Sequence, residues 1–308
     1  MNPDLSLTIA GVHFRNPVIA ASGTFGYGSE YEGLLDIAAL GGICTKGLTL
    51  KPRQGNTGRR IHETASGLMN SIGLENPGIP AFIEKELPAL RKLGPVVIAN
   101  LSGSDITEYA EGTSLLDSSS VDMIELNISC PNVKSGGMAF GLDPQAAAEV
   151  TDTVRKAAPH KPLMVKLSPN APDITAVAKA CINTGADALS LVNTFKALAI
   201  DIHGRKPVFD NISAGLSGPA IKPIALRMVW ELVEMLQKEK LSVPVIGLGG
   251  IASAADALEF LMAGAAAVEV GTATFTHPPT MNEIITGIEA YMKEKGFSKP
   301  AELAIVKI

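Results

Sequence analysis

The sequence predicts an α/β protein folded as a closed (β/α)8 barrel, and three observations carry that prediction. Eight short apolar segments alternate with eight segments whose apolar residues recur at three- and four-residue spacings. The short segments are nearly uninterrupted, as parallel strands covered on both faces should be. A polar residue or a glycine stands at the C-terminal end of almost every one, which matches the one-sided polarity of a barrel. An open, doubly wound sheet is the alternative, but no Gly-x-Gly-x-x-Gly turn follows the first strand. The 308 residues read as a single catalytic domain spanning 1–308, with no low-complexity tract, long-period repeat or domain boundary.

In chain order, residues 5–14 read as a short hairpin: Leu5, Leu7 and Ile9, a turn at Ala10-Gly11, then Val12 and Phe14. Strands follow at Pro17–Ala21, Gly42–Thr45, Val96–Asn100, Met123–Asn127, Leu163–Lys166, Ala188–Val192, Val245–Gly247 and Ala267–Val270. Helical spacing occupies Glu30–Leu40, Ile79–Leu93, Asp105–Leu116, Pro144–Ala157, Ile174–Thr184, Pro219–Lys240, Ala254–Ala263 and Met281–Lys295. Asp143 with Pro144 reads as an N-cap and first helical position. Gly185-Ala186-Asp187 and Gly264-Ala265 read as helix stops. Two connections, Gly47 to Gly78 and Asn193 to Gly218, are too long to be mere connectors. Both follow strand C-termini, so both should cover the mouth of the barrel.

Composition narrows the function. A formal net charge of -5 and the lack of any basic cluster argue against a nucleic-acid surface. Cys44, Cys130 and Cys181 are too scattered for a disulfide framework, and the five histidines are solitary, so no metal site is expected in this chain. The N-terminus lacks the basic and apolar regions of a signal peptide, and no apolar run reaches the length of a membrane span. A cytoplasmic enzyme is the expectation.

The stretch Val121 to Gly141 holds the strongest functional signal. A buried strand delivers Asn127 and Cys130 to its C-terminal end, then gives way to a loop containing Gly136-Gly137. A lone cysteine is usually a small buried hydrophobe. Here it lies just past a strand end, beside Pro131 and polar residues, where barrel chemistry sits.

The other strand ends are similar: Ser22-Gly23, Lys46-Gly47, Asn100, Lys166, Asn193-Thr194, Gly249-Gly250 and Gly271-Thr272. One such asparagine means only a turn, but the collective placement does not. The glycines after strands 7 and 8 are open to two readings, a phosphate cradle or close packing of helix on strand. Lys46 and Lys166 need opposite charge in a barrel mouth. An anionic cofactor and substrate would supply it; so would barrel carboxylates, of which Glu125 and Glu269 are the main candidates.

Asn16-Pro-Val-Ile-Ala-Ala-Ser-Gly-Thr-Phe-Gly, Lys46-Gly47, Asn70-Ser-Ile-Gly-Leu-Glu-Asn-Pro-Gly, Asn127-Ile-Ser-Cys-Pro-Asn-Val-Lys, Gly136-Gly137 with Phe140-Gly141, Val192-Asn193-Thr194, Gly215-Leu-Ser-Gly-Pro, Gly249-Gly250 and Gly271-Thr272 form one specific set. By this set the chain resembles, over essentially its whole length, class 1 dihydroorotate dehydrogenases, specifically the catalytic subunit of the NAD-linked type. The resemblance implies oxidation of (S)-dihydroorotate to orotate in pyrimidine biosynthesis. Ser22, Lys46, Gly47, Asn100, Asn127, Lys166, Val192, Gly218, Gly249, Gly250, Gly271 and Thr272 would then hold one FMN. Lys46, Asn70, Ser71, Ile72, Gly73, Leu74, Asn127, Asn193 and Thr194 would hold the substrate. Cys130 would be the catalytic base, Lys46 would pair with the substrate carboxylate or the flavin, and Lys166 would serve the reduced flavin. Gly136-Gly137 would give its loop the freedom to exclude water.

The resemblance also implies partners. This chain has neither a dinucleotide fingerprint nor a cysteine cluster. Electrons bound for NAD+ would leave through an iron–sulfur flavoprotein subunit carrying FAD and a [2Fe–2S] cluster, in a heterotetramer of two barrels and two such subunits. The alternatives are a fumarate-linked homodimer, a dihydropyrimidine dehydrogenase barrel, or a barrel that binds a phosphate ligand without redox chemistry. The membrane-bound quinone class carries extra helices before its barrel, whereas strand 1 here begins near Pro17. Arg59-Arg60 and Gly67-Leu68-Met69 depart from the family pattern without touching a transferred position.

Overall fold

The computed structural model describes residues 2–129 and 140–306. Eight parallel strands close into a barrel: β1 (Val18–Ala20), β2 (Gly42–Cys44), β3 (Val96–Leu101), β4 (Met123–Asn127), β5 (Leu163–Lys166), β6 (Ala188–Leu191), β7 (Val245–Leu248) and β8 (Ala267–Val270). Each strand pairs with its neighbours in chain order, and β8 returns to β1 with Val268 opposite Val18. The expected fold class is the observed one.

The period of two along each strand divides the barrel interior into layers. Ile19, Ile98, Met123, Met164, Ala188, Ile246 and Ala267 form one buried apolar cluster with Ile9 and Phe14. Those last two come from the N-terminal hairpin, Leu7–Ile9 against Val12–Phe14, which plugs the bottom of the barrel. Two residues further along the same strands, the inner face changes character. Asn100, Glu125, Lys166, Ser190 and Glu269 stand there, all buried. The barrel is therefore apolar at its base and polar and charged toward the strand C-termini.

Helices cover the outside, and their starts are locally encoded. Asp105, Asp143, Asp173 and Ser253 accept from the backbone N–H three residues on, at 2.9, 2.8, 3.0 and 3.2 Å. Each such cap contributes about 1 kcal/mol. Gly185 (φ 107°) and Gly264 (φ 98°) end the helices Ile174–Asn183 and Ala254–Met262 before β6 and β8.

Two expectations need correction. Glu30–Leu40 is not a helix but two separate 3-10 turns, Ser29–Tyr31 and Ile37–Ala39. Gly28 and Gly33 take positive φ, and the Asp36 side chain caps a new turn at Ala39 instead of continuing the old one. The helix from Ile79 contains a π turn, Phe82–Glu86, before Leu87–Lys92. Pro88 has no N–H for the Glu84 carbonyl, and its ring would collide with that carbonyl in a regular helix. The two long connections also carry strands of their own. Ile61–Thr64, Gly67–Asn70, Phe195–Leu198 and Ser213–Ser217 pair antiparallel into one four-stranded sheet. A fragment of each connection is too short to declare itself as a strand, and the pairing is non-local. A short helix after β8, Ala273–Thr276, also lies outside the sequence expectation.

Candidate active site

The polar layer is organised around Lys166, at the end of β5. Its Nζ lies 3.1 Å from Glu269 Oε2 on β8, 3.5 Å from Glu125 Oε2 on β4, and 3.2 Å from Ser22 Oγ after β1. Lys166 is 3% exposed and the two glutamates 0% and 1%, so this triad sits in a low-dielectric interior. Of the two possible partners for the strand-end lysines, the barrel carboxylates are the ones Lys166 meets within the protein.

The two glutamates are not equivalent. Glu125 Oε1 accepts from Ser190 Oγ at 2.7 Å, and Oε2 accepts from Cys44 Sγ at 3.1 Å and from Asn100 Nδ2. Burial alone would raise the pKa of Glu125, but Lys166 and these donors hold it below the usual carboxylate value. Glu269 has Lys166 but no partner for Oε1. Burial, and then the Glu125 charge, push its carboxyl up to about 8. One ammonium thus faces one carboxylate and one carboxyl that keeps its proton at neutral pH. Burial and the two glutamates raise the Cys44 thiol well above its ordinary range, so it serves as a neutral donor. The Cys44 sulfur and the carboxylate oxygens lie within 4.8 Å of one another, but the Lys166 ammonium already supplies the cation among them.

From this cluster a row of side-chain amides crosses the barrel mouth. Asn100 Nδ2 donates to Ser22 Oγ at 3.4 Å, Asn127 Nδ2 to Asn100 Oδ1 at 3.5 Å, and Asn193 Nδ2 to Asn127 Oδ1 at 3.2 Å. Asn193 Oδ1 in turn accepts from Thr194 N at 2.8 Å. Tyr109 Oη donates to the Asn127 carbonyl and fixes the end of β4. Gly47 presses on this row, since a Cβ there would lie 3.2 Å from Asn100 Oδ1 and 3.0 Å from Leu74 Cδ2.

A second group gathers at the ends of β6, β7 and β8. Gly218, Gly249 and Gly250 have φ of 95°, 131° and 75°, a region closed to most other residues. A Cβ on Gly249 would meet Val192 Cγ2 at 3.2 Å, and one on Gly250 would meet the Gly218 carbonyl oxygen at 2.8 Å. Val192 follows a cis Leu191–Val192 peptide. Thr272 Oγ1 donates to Ser217 Oγ at 2.9 Å, and Gly271 lies beside Ala21 and Thr24. Among the described residues, the backbone N–H groups of Gly249, Gly250 and Thr272 have no protein acceptor. Close packing and a cradle of free donors are therefore both present, and the second suits a phosphate.

Other predicted residues stand apart from these two groups. Lys46 is partly exposed and 3.9 Å from Glu75, which also accepts from Arg60 at 2.9 Å. Lys46 and Gly26 line a cavity of about 430 Å³ at the ends of β1 and β2, with Tyr31 and Phe275 on its walls. Asn70 lies in the antiparallel sheet and donates to the Gly215 carbonyl at 3.4 Å. Ser71 Oγ accepts from Asn56 and Asn211, and the Ile72 carbonyl accepts from Asn56 N. Gly73 and Leu74 follow with φ of 79° and 57°. Cys130, Gly136 and Gly137 lie outside the described residues. The residues flanking that segment are joined, with Gly141 N donating to the Ile128 carbonyl at 2.9 Å.

Sequence reasoning named Glu125 and Glu269 only as possible counter-ions and missed the parts played by Cys44, Ser190 and Glu75. The signal for the first four is strand parity. Glu125 shares a face with Met123 and Asn127, and a glutamate inside an apolar parallel strand must be paired.

Fold and site together define an α/β-barrel protein whose mouth carries a row of side-chain amides above a buried lysine–glutamate cluster. The sequence matches the family model described as Dihydroorotate dehydrogenase over residues 4–292. A Petrotoga mobilis protein named dihydroorotate dehydrogenase B (NAD(+)), catalytic subunit, is 57% identical over 300 residues, covering 97% of this chain and 98% of its own. Proteins of the same name are 53% identical in Geotalea daltonii over 302 residues (98% and 97%) and 52% identical in Caldicellulosiruptor bescii over 300 (97% and 98%). The chain belongs to the dihydroorotate dehydrogenase family. No helix among the described residues is long and apolar enough to cross a membrane.

Proposed function

We propose that this chain oxidises (S)-dihydroorotate to orotate on the route to UMP, as the catalytic subunit of an NAD-linked dihydroorotate dehydrogenase. The carrying observation is the row Ser22–Asn100–Asn127–Asn193 set beside the Lys166 triad. Amide side chains offer donor and acceptor together, which suits a planar pyrimidine with alternating carbonyl and N–H groups. The relatives' names support the same reading.

The residues fit a flavin mononucleotide. The free N–H groups of Gly249, Gly250 and Thr272 would take its phosphate, and Lys166 would face its ring. When bound, FMN supplies the acceptor for the hydride that leaves C6 of the substrate. Lys166 would supply a fixed positive charge to a bound acceptor as negative charge builds up on it, without the reorganisation water would require. Asn127 and Asn193 orient the substrate ring, and Lys46 neutralises its carboxylate by exchanging Glu75 for it. Cys130 takes the C5 proton as general base. Glu125, itself held by Asn100, helps fix the position of the Lys166 ammonium.

Electrons leave toward NAD+ through a second subunit bearing FAD and a [2Fe–2S] cluster, two barrels pairing with two such subunits in the cytoplasm. The test is dihydroorotate-dependent reduction of an artificial dye by the purified yellow chain, with orotate measured as product. Orotate formation equal to dye reduced supports the assignment. A colourless protein, or a flavin-loaded one that turns over only dihydrouracil, refutes it. Turnover with fumarate as acceptor assigns the chain to the fumarate-linked class.

A further inference from the structure

Within the buried Lys166 cluster lies a group that the proposed reaction does not itself call for, Glu269. Four facts set it apart. It reaches Lys166 at 3.1 Å, closer than Glu125 does at 3.5 Å. It is 1% exposed. Its second oxygen has no partner. And Glu125 is saturated by Ser190, Asn100 and Cys44, so Glu125 is the carboxylate that takes the negative charge.

We propose that Glu269 is a positioning residue that holds or releases one proton against Lys166 and thereby sets how much positive charge Lys166 presents to the flavin. This rests on the flavin-binding reading above. The charge count gives the direction. With Glu269 neutral, Lys166 and Glu125 sum to zero. With Glu269 ionised, the buried cluster carries one net negative charge, and gathering negative charge on the flavin becomes harder. Reduction therefore favours the protonated form. In the pH range where oxidised enzyme has lost the Glu269 proton, reduction by two electrons takes one proton up from solvent onto Glu269 Oε1. The groups facing Glu269 among the described residues are Cys44 on β2, Glu125 on β4 and Lys166 on β5, with Ser22, Asn100 and Ser190 as neutral partners nearby. Cys44 stays a thiol and Lys166 stays charged, so neither competes for the titration. The carboxyl, held up to about 8, places the change just above neutrality.

The experiment is an equilibrium dye titration of flavin-loaded protein across neutral to alkaline pH, for wild type and Glu269→Gln. The two potentials should coincide below the titration. Above it the wild-type potential should fall more steeply, by one additional proton per two electrons, and lie below that of the variant. Superimposable pH profiles in the two proteins overturn the proposal while leaving the flavin assignment standing; loss of flavin from wild type would instead sink the assignment. If Glu269→Gln does not fold, the infrared difference spectrum of reduced minus oxidised wild type decides. A protonated-carboxyl band that appears on reduction at alkaline pH and shifts in D2O is expected, and its absence refutes the proposal.

Discussion

Replacing Glu269 by glutamine should make the folded protein more resistant to alkaline pH, and the size of the gain follows from the site. The ordinary carboxyl value is 4.5, and in the folded barrel Glu269 is held up to about 8. Well below the ordinary value the group is protonated in both folded and unfolded chains, and its pH-dependent contribution is constant. As pH rises past it, the unfolded chain ionises freely while the folded one must keep its proton, so stability is lost progressively until about 8 and then levels off. Each unit is worth about 1.36 kcal/mol per proton, and an interval of roughly 3.5 units gives a ceiling of about 5 kcal/mol. Buried sites respond with a higher effective dielectric than a dry interior, so about 2–3 kcal/mol is expected. Glutamine keeps the shape and stays neutral. Urea midpoints measured for both flavin-saturated proteins at about pH 5.5, 7 and 8.5 should diverge in favour of the variant as pH rises. Parallel midpoint curves would falsify the protonated-carboxyl assignment.

Three further outcomes are expected. Cys130→Ser should bind flavin and substrate normally but slow substrate-driven flavin reduction about 100- to 10,000-fold near neutral pH by stopped flow; an unchanged rate removes Cys130 as the base. Lys166→Ala should lower the flavin reduction potential and destabilise the fold by about 3–5 kcal/mol, because it leaves the Glu125 carboxylate buried without a counter-charge; a wild-type potential contradicts the role given to Lys166. Gly250→Ala, at φ 75° and with the Gly218 carbonyl oxygen 2.8 Å from the added methyl carbon, should weaken flavin affinity about ten-fold, a loss of roughly 1–2 kcal/mol, measured by fluorescence quenching. An unchanged affinity means the β7 turn is packing alone.

The barrel is legible in the sequence because its signals are local. An apolar run such as Leu163–Lys166, a cap such as Asp143 and a stop such as Gly185 each declare themselves within a few residues. Ser22, Asn100, Asn127, Lys166 and Asn193 are legible as one group because they share the C-terminal end of the strands, and the structure links them by hydrogen bonds. The antiparallel sheet over the mouth is not legible. Met69 pairs with both His62 and Leu216, the latter 147 residues away, and nothing local encodes that partnership. The role of Glu269 is hidden for a related reason. Its protonation depends on Glu125 and Lys166, which come from two other strands and meet it only when the barrel closes.

Under the proposed function, dihydroorotate is oxidised in this barrel and the electrons then need a second protein. Anaerobic mixing of the flavin-loaded chain, purified free of any partner, with dihydroorotate tests it most directly. The visible flavin absorbance should bleach with one orotate formed per chain, and added NAD+ should leave the flavin reduced and yield no NADH. A flavin that stays oxidised in the presence of excess dihydroorotate would contradict the assigned reaction, and robust NADH formation would contradict the need for the partner.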